Sequence, residues 1–212
     1  SILATLPEMP TGNNEKYGGK YLKPAENHEP RSWHNPEMYP LYPYELHGIG
    51  QGDLDLMKHT SLAIGGDMFN VTAWRQGNIH AARLGDIKLA QQLNLKKMEN
   101  GPYRFPAFWP HNIDWAPDHN WGGSGMIGMQ EMVMQTHRPP PEGLRPGKCR
   151  AAGKIRLLPA WPKAWDVDFK LHAPHQTVVE CSFEDGKVKR LEVAPEGRRD
   201  DVTVMTPQQE AK

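Results

Sequence analysis

The chain has 212 residues, and its 25 Lys and Arg balance its 25 Asp and Glu, so a protein held to nucleic acid by a broad basic surface is excluded. No apolar run approaches the roughly 18 residues of a membrane span, and no basic stretch leading into an apolar one opens the chain as a signal peptide would. Leu, Ile, Val and Phe together make only 18 % of the chain, while seven Trp, six Tyr and ten Met supply apolar area and 20 Gly and 20 Pro make it loop-rich. Such a chain is expected to be part of something larger, since it has little aliphatic material with which to close a core alone.

Residues 1–50 read as irregular, with Gly, Asn and Pro at short intervals from Gly12 to Pro43. Tyr17, Tyr21, Trp33, Tyr39, Tyr42 and Tyr44 argue against disorder there. A helix is predicted over 52–64, with Asp53 at its start and Gly65-Gly66 as its stop. Two more are predicted over 73–84 and 86–99, broken at Gly85 into an antiparallel hairpin. Residues 101–124 return to irregular chain. A Met-rich helix follows over 125–137, with Met126, Met129 and Val133 on one face and Glu131 as a buried, hydrogen-bonded group. After a Pro-rich connector, short strands are predicted at 154–158, 168–173, 176–183, 187–194 and 201–205. Glu184-Asp185-Gly186-Lys187 forms the turn of a hairpin among them. The organisation is therefore mainly α, then β: a helical part over 1–137, a connector over 138–153 and a small antiparallel β domain over 154–212. Cys149 and Cys181 form no disulfide framework, and no His/Cys cluster has metal-site spacing, so no metal or cofactor is expected.

Several stretches together resemble a known family. Asn112-Ile-Asp-Trp115, Asp118-His-Asn-Trp-Gly122 and Gly128-Met-Gln-Glu-Met132 are similar to the C-terminal part of family 95-type glycoside hydrolases, the inverting α-L-fucosidases. So are Ala82-Arg-Leu-Gly-Asp86, Asn35-Pro-Glu-Met-Tyr39 with Leu41-Tyr-Pro43, and above all the gapless Leu157-Leu-Pro-Ala-Trp-Pro162 followed by Trp165. The resemblance covers most of residues 20–195. It implies the last helices of an (α/α)6 barrel with long active-site loops, completed by helices from another chain or an earlier part of the same polypeptide.

An inverting glycosidase needs two carboxyl groups flanking the scissile bond, with room between them for a water. The resemblance places the base side on Asp118 and the general acid on Glu26 or Glu37. Asp114 is a further acid beside the site. His34 and Asn120 are candidates for holding sugar hydroxyls, and Trp109, Trp115 and Trp121 for stacking on a sugar face. The expected substrate is an oligosaccharide or polysaccharide ending in an α-L-fucosyl or related α-glycoside, with no nucleic acid or membrane as partner. The matching location is periplasmic or extracellular. Two rival readings are a barrel phosphorylase, which would need a phosphate pocket, and a carbohydrate-binding or assembly subunit without the acid pair.

Overall fold

The computed structural model describes residues 7–24, 34–72, 75–99, 119–136 and 153–205. The start of the chain is more regular than its composition suggests. Strands β1 (Thr11–Asn14) and β2 (Gly19–Leu22) pair antiparallel around a 3-10 turn over Glu15–Tyr17. The Asn14 side chain caps that turn by accepting from the Lys16 amide. The period-2 signal is hidden because the strands are four residues each and one is almost wholly polar.

Helix α1 (Leu54–Ile64) starts where Asp53 Oδ1 accepts from the Leu56 amide at 2.8 Å and stops at Gly65, as the sequence predicts. Thr60 locks it to the hairpin: its hydroxyl donates to the Leu56 carbonyl at 2.7 Å and accepts from the Leu22 amide at 2.9 Å. Leu22, Met38, Leu41, Leu56, Met57, Ile64, Met68 and Leu84 form one apolar cluster around this joint.

Helices α2 (Gly77–Leu84) and α3 (Ile87–Lys97) make the expected hairpin. Gly85 turns between them at φ 75°, a conformation that disfavours any side chain. Asp86 then caps α3 by accepting from the Leu89 amide at 2.9 Å. Every residue of α2 is buried, including Asn78, His80 and Arg83. It packs on both α3 and α4 (His119–Val133).

Helix α4 begins six residues before the predicted start at 125, and the predicted last turn is instead strand β3 (Met134–Thr136). Of the expected Met126, Met129, Val133 stripe, Val133 is buried and Met129 packs half-buried against the same core, but Met126 does not join them. Met126 is 56 % exposed, while Trp121, Ser124, Gly128 and Met132 face inward. Small residues let α4 approach closely enough for Asn78 Nδ2 to reach both Asn94 Oδ1 at 3.0 Å and the Ser124 carbonyl at 2.8 Å.

The remaining strands form two sheets. Strands β5 (Val167–Ala173), β6 (Thr177–Glu184) and β7 (Lys187–Ala194) make an antiparallel meander. Leu157, Val179, Cys181 and Phe183 are buried, with Val188 and Leu191 packed against them. The other sheet departs from the predicted antiparallel module. Strand β4 (Ile155–Leu157) lies between β3, antiparallel, and β8 (Val202–Val204), parallel. One strand from before the connector thus shares a sheet with two from after it. One apolar cluster likewise runs from Ala81, Ala90 and Met132 to Val179 and Phe183. Among the described residues the fold is a mixture of helices and small sheets, and nothing in the packing of α1–α4 displays a barrel.

Candidate functional site around Arg83

The sequence-predicted residues divide by where they fall. Glu26, Trp109, Asp114, Trp115 and Asp118 lie outside the described residues, as does Cys149. Glu37 sits in a 3-10 turn over Pro36–Met38 and is only 5 % exposed. His34, just before that turn, and Asn120, in the first turn of α4, are exposed. Trp121 corrects an expectation. At 2 % exposure it is a core residue rather than an open stacking platform. Its indole N–H donates to the Lys97 carbonyl at 2.7 Å, and the Lys97 ammonium lies 4.6 Å from the ring centroid.

The most concentrated chemistry among the described residues lies elsewhere, around Arg83. This side chain is 1 % exposed in the last turn of α2. A buried guanidinium must be paired or it destabilises the fold by several kcal/mol. Two carboxylates from different elements provide the pairing: Glu45 Oε1 lies 2.6 Å from Nη2, and Glu131 Oε2 lies 3.2 Å from Nε. The Tyr42 ring sits 6.0 Å from the guanidinium carbon. Arg156, on β4 opposite Gln135 of β3, adds a second half-buried guanidinium, whose pKa is held down by burial and by the nearby charge of Arg83.

Burial pushes the Glu131 carboxyl up to about 7; the Arg83 charge pulls it down, and the Glu45 carboxylate pushes it further up. Nearby His80 on α2 is pushed down to about 4 by burial, against a smaller opposing pull from the Tyr42 backbone. It is therefore neutral at pH 7. A carboxyl raised to about 7 by burial, with a second carboxyl group on the same guanidinium, is a strongly perturbed site. The shared guanidinium holds the positions of both groups.

Each partner has local support. Glu45 belongs to a loop over 39–53 pinned by the Leu46 and His47 amides donating to the Pro40 carbonyl at 2.7 and 3.0 Å. Gln51 Nε2 donates to the Glu45 carbonyl at 2.5 Å, and Gly48 and Gln51 bridge each other. Met38 and Leu41, both fully buried, anchor the start of this loop in the core. In β3, just after α4, Gln135 Nε2 donates to the carbonyls of Ala82 and Glu131 at 2.7 and 3.0 Å, bridging α2 and α4.

Arg83 and Glu45 were not candidates from the sequence, and Glu131 was expected only as a buried structural group. The available signal was a lone charge in each apolar run: Arg83 in Ile79-His-Ala-Ala-Arg-Leu84, and Glu131 in Met126-Ile-Gly-Met-Gln-Glu-Met-Val-Met134.

A separate depression of about 290 Å³ is lined by Lys58, Ser61, Leu62, Leu84, Gly85 and Asp86. Its one acid is committed to capping α3, so it offers no acid and base pair. Among the described residues no group of three or more His, Cys, Asp or Glu could hold a metal ion, and no helix is long and apolar enough to cross a membrane. No protein-family model matches the sequence, and no curated protein is similar enough to it to count as a match.

Proposed function

We propose that the chain is the C-terminal portion of an inverting glycoside hydrolase acting on terminal α-L-fucosyl or related α-glycosides, with its helices the last of an (α/α)6 barrel. One observation carries this reading beyond the motifs themselves. Three of the motif segments, far apart in sequence, contribute to the surroundings of Arg83. The stretch after Asn35-Pro-Glu-Met-Tyr39 brings Tyr42 and Glu45, Ala82-Arg-Leu-Gly-Asp86 brings Arg83, and Gly128-Met-Gln-Glu-Met132 brings Glu131. The Leu157–Trp161 stretch docks on the end of the same helix, its Leu158 and Ala160 amides donating to the carbonyls of Val133 and Met132 at 2.7 and 3.2 Å.

In this reading Asp118, immediately before α4, activates the attacking water, and Glu26 or Glu37 protonates the leaving oxygen. Glu131 and Glu45 serve the scaffold, because each sets one carboxylate oxygen against Arg83. The test is release of the terminal sugar from a panel of α-linked fucosides and galactosides by the full-length protein, with the anomer of the first product read by NMR. Asp118→Asn should lower kcat roughly 10²–10⁴-fold while the thermal midpoint stays close to wild type. Near-wild-type turnover in that variant would refute the role of Asp118. Sugar binding without release would favour a binding subunit, and release only with added phosphate a phosphorylase.

A further inference from the structure

We propose that Glu131 and Glu45 compete for Arg83, so that the proton carried by Glu131 sets how firmly the 39–53 loop is held to helix α2. The geometry supplies the three parts of a latch. The catch is Arg83, buried in α2 and unable to give up its charge. The bolt is Glu45, the loop residue whose carboxylate reaches that guanidinium at 2.6 Å. The competitor is Glu131, on α4, a different element from the bolt, at 3.2 Å from Nε of the same guanidinium.

Glu45 is also held in a conformation that favours release. Its φ of 53° lies in the left-handed region, which non-glycine residues keep only where their surroundings enforce it. Freed from Arg83, Glu45 loses one of the contacts that enforce it.

The charged and titratable groups around the cluster come from three other elements: Arg83 and His80 from α2, Arg156 from β4, and Tyr42 and Glu45 from the loop. Burial and the Glu45 carboxylate oppose an ionised Glu131, while Arg83 favours it. The balance falls near neutral pH. Below that point Glu131 is neutral and does not contest the Glu45–Arg83 pair. Above it, two carboxylates share one guanidinium and repel each other, and the loop is the more weakly anchored of the two carriers. His47, in the same loop, is pushed down by burial against a smaller opposing pull from Asp53.

The experiment is amide hydrogen exchange on the full chain at pH 6 and pH 8, corrected for intrinsic exchange rates. It is read at Leu46, His47, Gly48 and Gln51, whose amides donate within the loop. Wild-type protection should fall up to about tenfold between the two pH values, one unit on either side of the transition, and Glu131→Gln should show no such fall. A fall of the same size in both proteins, or none in the wild type, overturns the proposal. If Glu131→Gln does not fold, the carboxyl carbon of Glu131 is titrated by NMR in the wild type and in Glu45→Gln. A midpoint near neutral that drops in Glu45→Gln is expected. A midpoint in the ordinary carboxylate range, or one that Glu45→Gln leaves unmoved, overturns it.

Discussion

A single methyl group at Gly128 would collide with Asn78 Nδ2 and Asn94 Oδ1, the two atoms that hydrogen-bond to each other beneath α4. Neither amide has room to yield, because Asn94 Nδ2 is tied to the Ala90 carbonyl at 2.8 Å and Asn78 Nδ2 to the Ser124 carbonyl. Gly128→Ala should therefore cost about 2 kcal/mol or more, despite the better helix propensity of alanine, as read by chemical denaturation. The same crowding explains why the inward face of α4 holds small residues that the expected stripe leaves out. Hydrophobic periodicity counts methionines and cannot see that glycine and serine are turned inward when two helices must come close. In sequence Trp121 is one of three candidates for sugar stacking, because Trp beside acids in an irregular stretch looks like one. In the structure it carries Lys97 on its ring and belongs to the core. Arg83 was illegible as a hub for a related reason: its partners lie 38 positions before it and 48 after it, and composition says nothing of such pairings.

The elements that could be read from sequence are those with strong punctuation. Asp53 and Gly65 bracket α1, Gly85 and Asp86 divide α2 from α3, and Asp185-Gly186 turns β6 into β7. Asp86 makes this dependence measurable. Its carboxylate caps α3 from an exposed position, so Asp86→Ala should lower stability by about 1 kcal/mol and fray the start of α3. An unchanged denaturation midpoint would contradict the capping role. Elements without such signals were missed or misplaced. The β1–β2 hairpin is short and polar, and the first turns of α4, His119-Asn-Trp-Gly-Gly-Ser124, contain poor helix formers held by packing rather than propensity. The parallel pairing of β4 with β8 joins strands of three residues each. Three residues carry no period, and sequence alone does not tell which neighbour a strand will choose.

Over the whole molecule, Glu131 and His80 pull stability in opposite directions as pH changes. Glu131 rises from 4.5 to about 7 on folding, so the folded state binds the extra proton and stability falls as pH rises through that window. His80 drops from 6.5 to about 4, so the unfolded state binds the extra proton and stability is lost as pH falls through that window. Each term has a slope of about 1.4 kcal/mol per pH unit, and between pH 4.5 and 6.5 the two nearly cancel. Replacing one should expose the other. Relative to wild type, Glu131→Gln should gain stability steadily as pH rises toward 7, and His80→Gln should gain it as pH falls toward 4. Denaturation profiles of the two variants running parallel to wild type would contradict both assignments. The order of strands in the β3–β4–β8 sheet has a different consequence, for the chain as it leaves the ribosome. Strand β3 emerges before β4, and the β5–β6–β7 meander can zip through its own short turns soon afterwards. Strand β8 follows only after all of these, and until it arrives β4 shows one unpaired edge of amides and carbonyls between the buried side chains of Ile155 and Leu157. A nascent chain halted before Val202 would present that edge to its neighbours, and there the protein is most exposed to misassociation during its own synthesis.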